Sequence, residues 1–235
     1  TDANDGSTDG GALDCKSPPP GPTAGATNVW CDTFDDPTMM PQLWGWDRRQ
    51  ITSNAPSVDD GGFVARGLHA NATTTSPAPP EGWVTALWKT VQGGIAAGQS
   101  LEMRFRFKVV SASIAYTVLG AIQLNDLEYG IALYNGGCPG GGMCIDENDH
   151  LGGHDFGGAV PLTLGKWYAA SVTVTRTGTT FSGKTVLDGD KTLHSGGGIL
   201  NPGAPPLVEV GAGAFFSGNN GNVNVVIDDV IVWRY

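Results

Sequence analysis

The run from Leu101 to Val110, LEMRFRFKVV, constrains this chain more than any other segment. Leu101, Met103, Phe105, Phe107 and Val109 alternate with Glu102, Arg104, Arg106 and Lys108. A side-chain period of two belongs to an extended strand with one apolar and one wet face, and a helix would scatter these residues around its axis. Less regular runs of the same kind recur as NVWCDTF, GGFVARGLHA, WVTALWKTVQ, AYTVLGAIQL, EYGIALY, KWYAASVTVTRTG, TFSGKTVLDGDKTLH, LVEVGAGAFF and NVNVVIDDVIVW. Turn formers stand between them. With 36 Gly and 15 Pro in 235 residues, long helices are disfavoured and many short strands are expected. The expected fold is all-β, a two-sheet antiparallel β-sandwich of about ten or eleven strands, with a hairpin at Asn125–Asp126.

Residues 1–25 differ in texture, being rich in Asp, Gly, Ser and Thr and then stiffened by Pro18–Pro20. Such a stretch has too little apolar surface to offset its ordering entropy and reads as a disordered tether, leaving 26–235 as the sandwich. The formal charge of −10 disfavours nucleic acid as a partner, because that affinity rests on Lys and Arg neutralising phosphates. No apolar run approaches the roughly 18 residues needed to cross a membrane as a helix. Four cysteines, Cys15, Cys31, Cys138 and Cys144, allow three connectivities. Short loops favour Cys15–Cys31 and Cys138–Cys144, and with them an oxidising compartment.

Several residues are candidates for chemistry. The loop CPGGGMCIDENDHLGGHD places Cys138, Cys144, His150 and His154 in sequence. The central gap is too short for the usual zinc spacing, so a disulfide is the stronger reading. Asp146, Asn148 and Asp149 open like a calcium loop, but Leu151 stands where such a loop needs glycine. Sugar sites pair aromatic faces with amide or carboxylate groups. Trp44, Trp46, Trp83, Trp88 and Tyr134 are candidates for such a site, whereas Trp30, Trp167 and Trp233 fit the core. Arg104, Arg106 and Lys108 share a strand face; they would hold an acidic polysaccharide or form a solvated face balanced by carboxylates. Asp228 and Asp229 interrupt the apolar run VVIDDVIVW, where carboxylates are costly unless the strand is an edge or a cation is near.

Three segments together carry a resemblance: NVWCDTFDDPTMMPQLWGW, GKWYAASVTVTRTGTTFSGKTVLDG and VVIDDVIVW. In that order they resemble the concanavalin A-like lectin/glucanase superfamily, including its laminin-G-type and family-16 glycoside hydrolase branches, over about residues 28 to 235. The resemblance implies a jelly roll with one concave and one convex sheet. It also implies a structural calcium held by Asp228, the Asp32–Thr33 region and the Gly62 carbonyl. The alternative is that Asp228 accepts backbone hydrogen bonds or pairs with Arg while Asp229 faces water. The family-16 catalytic pattern Glu-x-Asp-x-Glu is missing; counting from Glu128 in steps of two gives Gly130, Ala132 and Tyr134. Asp126 and Glu128 would still share a strand face about 7 Å apart, a separation compatible with acid/base work.

The reading is therefore a secreted or surface-tethered, noncatalytic carbohydrate-binding sandwich with a structural calcium. Its ligand would be a polysaccharide or glycan, contacted by Trp88, Arg104, Arg106, Asp126, Glu128 and Tyr134. Two rivals share the fold. One is a module that binds a protein partner, and the other is a glycan hydrolase or lyase working through Asp126 and Glu128.

Overall fold

The structure is a computed structural model; it describes residues 13–16, 20–36, 45–46, 56–74, 83–125, 127–136, 138, 140–148, 158–200, 207–216 and 221–235. Every regular element among them is a strand. In chain order these are β1 (Thr27–Asp32), β2 (Gly45–Trp46), β3 (Ser57–Asp60), β4 (Arg66–Thr74), β5 (Trp83–Thr90), β6 (Ser100–Ala112), β7 (Tyr116–Leu124) and β8 (Leu127–Asn135). There follow β9 (Met143–Asn148), β10 (Val160–Pro161), β11 (Trp167–Thr177), β12 (Thr180–Leu187), β13 (Lys191–Leu200), β14 (Val208–Phe216) and β15 (Gly221–Arg234).

They form two antiparallel sheets, as the alternating runs require. The eight-stranded sheet has the order β13-β12-β11-β6-β15-β4-β3, with β1 also paired to β15. The seven-stranded sheet has the order β10-β9-β8-β7-β14-β5-β2. The run Leu101–Val110 behaves as its period demands. Leu101, Met103, Phe105, Phe107 and Val109 are fully or almost fully buried in the main core. They meet Leu119, Ile122, Tyr129, Ile131 and Leu133 of the opposite sheet's inner face within the same cluster. Each such side chain contributes about 1.5–3 kcal/mol on burial, so this seam supplies much of the driving force for closing the sandwich.

Turns follow local chemistry. Asn125, between β7 and β8, has φ of 56°, and Asp188 and Gly189, between β12 and β13, have φ of 51° and 79°. Asn, Asp and Gly tolerate this left-handed region better than other residues. TFSGKTVLDGDKTLH is accordingly a hairpin of two strands.

MCIDEN departs from expectation. The sequence reads as part of a polar loop, yet it forms β9 and pairs with β8 from Gly130–Asn148 to Asn135–Met143. Asp146, Glu147 and Asn148 are buried there. Neighbouring strands supply the partners that local propensity does not, which is why polarity alone misleads here.

Within the amino-terminal segment, Leu13, Cys15 and Gly21 contact the sandwich. Cys15 is joined to Cys31 of β1, and the Leu13 N–H donates to the Asp229 carboxylate. Gly21 packs so tightly on the Trp233 ring that a Cβ there would stand 2.9 Å from it. The second expected disulfide, Cys138–Cys144, also forms. Among the described residues no helix is long and apolar enough to cross a membrane.

Candidate functional site

Two places hold buried polar groups that packing alone does not account for. The first is the outer face of the seven-stranded sheet. Ile122 and Leu124 of β7 point into the core, so Gln123 points outward. The same alternation sends Glu128 of β8, Glu209 of β14 and Thr90 of β5 to that face. Register aligns them: Gln123 is opposite Glu128 and Glu209, and Glu209 is opposite Thr90. The Thr90 hydroxyl donates to Glu209 Oε1 at 3.1 Å.

The next row is made of small residues. Asn148 is opposite Gly130, Gly130 opposite Ala121, Ala121 opposite Gly211, and Gly211 opposite Trp88. A Cβ on Gly211 would collide with the Trp88 ring, so glycine here lets the indole lie flat on the sheet. Trp88 also packs on Phe215, with ring centroids 4.6 Å apart. On the other flank, Tyr116 and Tyr134 pack at 5.0 Å. The Tyr116 hydroxyl donates to Asn148 Oδ1 at 2.7 Å, and the Tyr134 hydroxyl to the Glu147 carbonyl at 3.2 Å.

These side chains form a second apolar cluster separate from the main core: Ala86, Trp88, Val118, Ala121, Ala132, Tyr134 and Phe215. Small residues form its floor and aromatic pairs its two flanks, with a polar row along one end. Two polar atoms in it are left over. Gln123 is 3% exposed and Trp88 5% exposed, yet Gln123 Oε1 and Trp88 Nε1 are buried without a hydrogen-bond partner. A buried, unsatisfied amide oxygen costs about 1–3 kcal/mol, and nothing in the packing of the sheet requires it.

The second place is the Asp228–Asp229 bulge. β4 pairs with Gly221–Ile227 of β15 and β1 with Val230–Arg234, so the two carboxylates occupy the gap where one neighbour ends and the other begins. The register against β6 slips between Asp228 and Ile231, and Asp229 adopts φ of 51°. This is a bulge inside a sheet rather than an exposed edge. Asp228 Oδ2 accepts the Phe63 N–H at 2.7 Å, and Oδ1 accepts the Asp229 N–H at 2.8 Å. Burial pushes the Asp228 carboxyl up to about 7, and the nearby Asp229 and Asp35 charges push the same way.

Asp229 does not face water. It is 8% exposed, and its Oδ2 lies 3.0 Å from Arg106 Nε. Burial raises the Asp229 carboxyl while Arg106 and the Leu13 N–H oppose the rise. The Arg106 guanidinium also stands 3.9 Å over the Phe63 ring. Gly62 is pressed against the same site; a Cβ on it would be 2.6 Å from Asp228 Oδ2. Asp32 Oδ1 accepts the Phe34 N–H at 2.7 Å, and the Thr33 hydroxyl donates to Asp35 Oδ2 at 2.8 Å. Among the described residues no group of three or more His, Cys, Asp and Glu side chains converges to hold a metal ion. A cation at the bulge would need Asp228 and backbone carbonyls together, a donor mixture that suits calcium.

The structure thus divides the residues singled out from sequence. Trp88, Glu128 and Tyr134 come together on one sheet face. Arg104 and Arg106 belong to β6 and face outward from the other sheet, with Lys108. There they are balanced: Arg104 Nε meets Glu102 Oε1 at 2.6 Å, Arg106 meets Asp229, and Lys108 Nζ donates to the Gly61 carbonyl at 3.1 Å. Asp126, Trp44, Asp149, His150, Leu151 and His154 lie outside the described residues, as do the side chains of Trp46 and Trp83. Trp30 packs against the main core. Trp167 and Trp233 instead sit on the outer face of the eight-stranded sheet, under Lys108 and Arg104 respectively. Gln123, Glu209, Asn148 and Phe215 were not singled out. For Gln123 and Glu209 the signal was present: each is a lone polar residue flanked by apolar strand neighbours, AIQL and LVEV.

No family model matches the sequence, and no curated protein matches it. Solved structures do resemble the fold. A doubly substituted form of the family 7 alginate lyase A1-II', in complex with substrate, superposes with a TM-score of 0.52 at 15% identity, covering 77% of this chain and 82% of its own. A structure from work on endo-acting O-glycanases of the human gut microbiota gives 0.55 at 11% identity, covering 88% and 98%. The CBM2 module of the evolved Dit of Lactobacillus casei BL23 phage J-1 gives 0.50 at 10% identity, covering 88% and 95%. At these identities the likeness is one of fold. This chain shares with them a two-sheet β-sandwich architecture.

Proposed function

We propose that this chain is a noncatalytic carbohydrate-binding β-sandwich, secreted or held at a cell surface, that takes a polysaccharide or glycan segment on the outer face of its seven-stranded sheet. Gln123 carries the reading. Its buried Oε1 has no partner, and it stands between Glu128 and Glu209 beside an aromatic cluster that no second sheet explains. Pyranose rings offer apolar C–H faces for aromatic side chains and hydroxyl donors for amide and carboxylate oxygens, which is the complement of this surface. The fold neighbours named as a lyase with substrate and a CBM2 module support a carbohydrate role by analogy.

The noncatalytic part of the reading rests on the missing Glu-x-Asp-x-Glu pattern: steps of two from Glu128 give Gly130, Ala132 and Tyr134. A structural calcium at Asp228 and the Gly62 region completes the proposal, neutralising a carboxylate that burial otherwise drives toward its protonated form.

The test is retention of the chain on a panel of immobilised polysaccharides, with calcium and with EDTA. Retention that Gln123→Leu abolishes, while the far-ultraviolet spectrum is unchanged, is the expected result. No retention on any polymer refutes the carbohydrate reading and directs the search to protein partners. Sugar release that Glu128→Gln abolishes replaces it with a hydrolase or lyase.

A further inference from the structure

We infer that the ligand carries N-acetylated sugars and that the chain reads their acetamido group through Trp88 Nε1 and Gln123 Oε1. This rests on the carbohydrate-binding reading above and adds the chemical class of the ligand. Three hydroxyls on the outer face of the seven-stranded sheet are already engaged: Tyr116 donates to Asn148 Oδ1, Tyr134 to the Glu147 carbonyl and Thr90 to Glu209 Oε1. Two atoms of opposite polarity are not. The Trp88 indole N–H donates only and the Gln123 amide oxygen accepts only; both are buried without a hydrogen-bond partner.

Between them lies an apolar floor. Ala121 precedes Gln123 by two residues on the same face of β7 and stands opposite Gly211, which stands opposite Trp88. Val118 and Ala132 face each other farther along β7 and β8, and Ala86, Val118, Ala121 and Ala132 belong to the same cluster as Trp88. Two strands and two residues separate Gln123 from Trp88, about 12 Å between Cα atoms, and the Trp88 ring shortens the interval by lying over Gly211. A planar amide hydrogen-bonded through both its N–H and its C=O bridges about 8 Å.

The secondary amide of an acetamido group is the complement of this pair, because it offers one N–H to Gln123 and one C=O to Trp88. Its methyl group then falls on alanine side chains, where an apolar group gains by leaving water. A hydroxyl in that place gives up its hydration and finds no partner among the described floor residues. An ammonium group is donor-only and leaves the Trp88 N–H unmatched, and a carboxylate is acceptor-only and leaves Gln123 unmatched. The acetamido group satisfies donor, acceptor and floor together.

Calorimetric titration of the intact chain with N-acetylchitohexaose and with cellohexaose tests this, because the two differ only in carrying an acetamido group or a hydroxyl at C2. Both are uncharged, so charges around the face do not enter the comparison. The N-acetylated hexamer should bind at least about tenfold more tightly, the effect of two hydrogen bonds and a buried methyl group. Trp88→Phe keeps an aromatic ring and removes the N–H, and it should cut that preference by about threefold or more. Gln123→Leu should do the same, with the far-ultraviolet spectrum of both variants matching the wild type. In the wider polysaccharide panel, every polymer that retains the chain should carry acetamido groups. Cellohexaose bound as tightly as its N-acetylated counterpart, a preference that both variants preserve, or equal retention on a polymer without acetamido groups overturns the inference and leaves carbohydrate binding intact. No binding of either hexamer, with no retention anywhere in the panel, overturns the carbohydrate reading itself.

Discussion

Replacing Asp228 by Asn isolates the energetic consequence of burying a carboxylate inside β15. Its carboxyl is raised from 3.8 to about 7, mainly by desolvation. The fold therefore favours the protonated form. Stability from this group is fully present below about pH 3.8, falls as pH rises, and is gone above about pH 7. The difference of about three pKa units corresponds to roughly 4 kcal/mol. Asn has the size of the protonated acid but only one acceptor oxygen, so either the Phe63 or the Asp229 N–H loses its partner, a cost of about 1–3 kcal/mol that does not vary with pH. In EDTA the difference in stability should move toward the variant by up to about 4 kcal/mol between pH 4 and pH 8, leaving the variant the more stable at pH 8. Urea unfolding followed by tryptophan fluorescence at several pH values measures the difference, which cancels the other titrating groups. Calcium should reverse the order at pH 8, because an ion at the bulge stabilises the charged carboxylate and has little to gain from an amide. A difference that stays flat from pH 4 to 8 in EDTA would refute the desolvation argument. The absence of any calcium effect on the wild type would remove the ion.

Other outcomes follow from the same packing. Arg106→Leu should destabilise by about 3–5 kcal/mol, since it leaves Asp229 buried without its cation; chemical denaturation at pH 8 measures it. Gly62→Ala should cost about 1–3 kcal/mol, because its Cβ has no room beside Asp228 and the Arg66 carbonyl, and the melting temperature reports this. The double variant Cys15→Ser, Cys31→Ser opens a loop of 16-residue separation and should lose about 3 kcal/mol, read by urea unfolding. Tyr235→Phe should lower stability by about 1.5–3 kcal/mol near pH 7, because the phenol donates to Glu102 Oε2 at 3.0 Å.

The sheets were legible from the chain because alternation is a local property. LEMRFRFKVV states in ten residues which side chains enter the core, and no distant contact is needed to read it. The cysteine pairing was legible for a similar reason, as short loops close at the least entropic cost. Periodicity also marked which residues of AIQLN and LVEVG oppose the core, but it could not say that β7 and β14 are neighbours. That adjacency joins residues about eighty positions apart, Leu207 and Asn125 being linked by a hydrogen bond with a separation of 82. Only the strand order aligns Glu128, Gln123, Glu209 and Thr90 into one row.

The same distinction divides the two charged sites. A reader of the chain sees Arg104, Arg106 and Lys108 on one strand face and Trp88, Glu128 and Tyr134 on others, with nothing to say whether they share a surface. The order β11-β6-β15 in one sheet and β8-β7-β14-β5 in the other puts them on opposite sides of the molecule. The anomaly of two aspartates inside a closing strand was visible in VVIDDVIVW. Its resolution was not, because burial, the end of β4, the start of the β1 pairing and the approach of Phe63 and Arg106 are all contacts across long stretches of chain. Side-chain period is set by the geometry of two consecutive residues and is written in the sequence. Which faces meet, and which charges are left between them, is set by the packing of whole sheets, which only the tertiary structure decides.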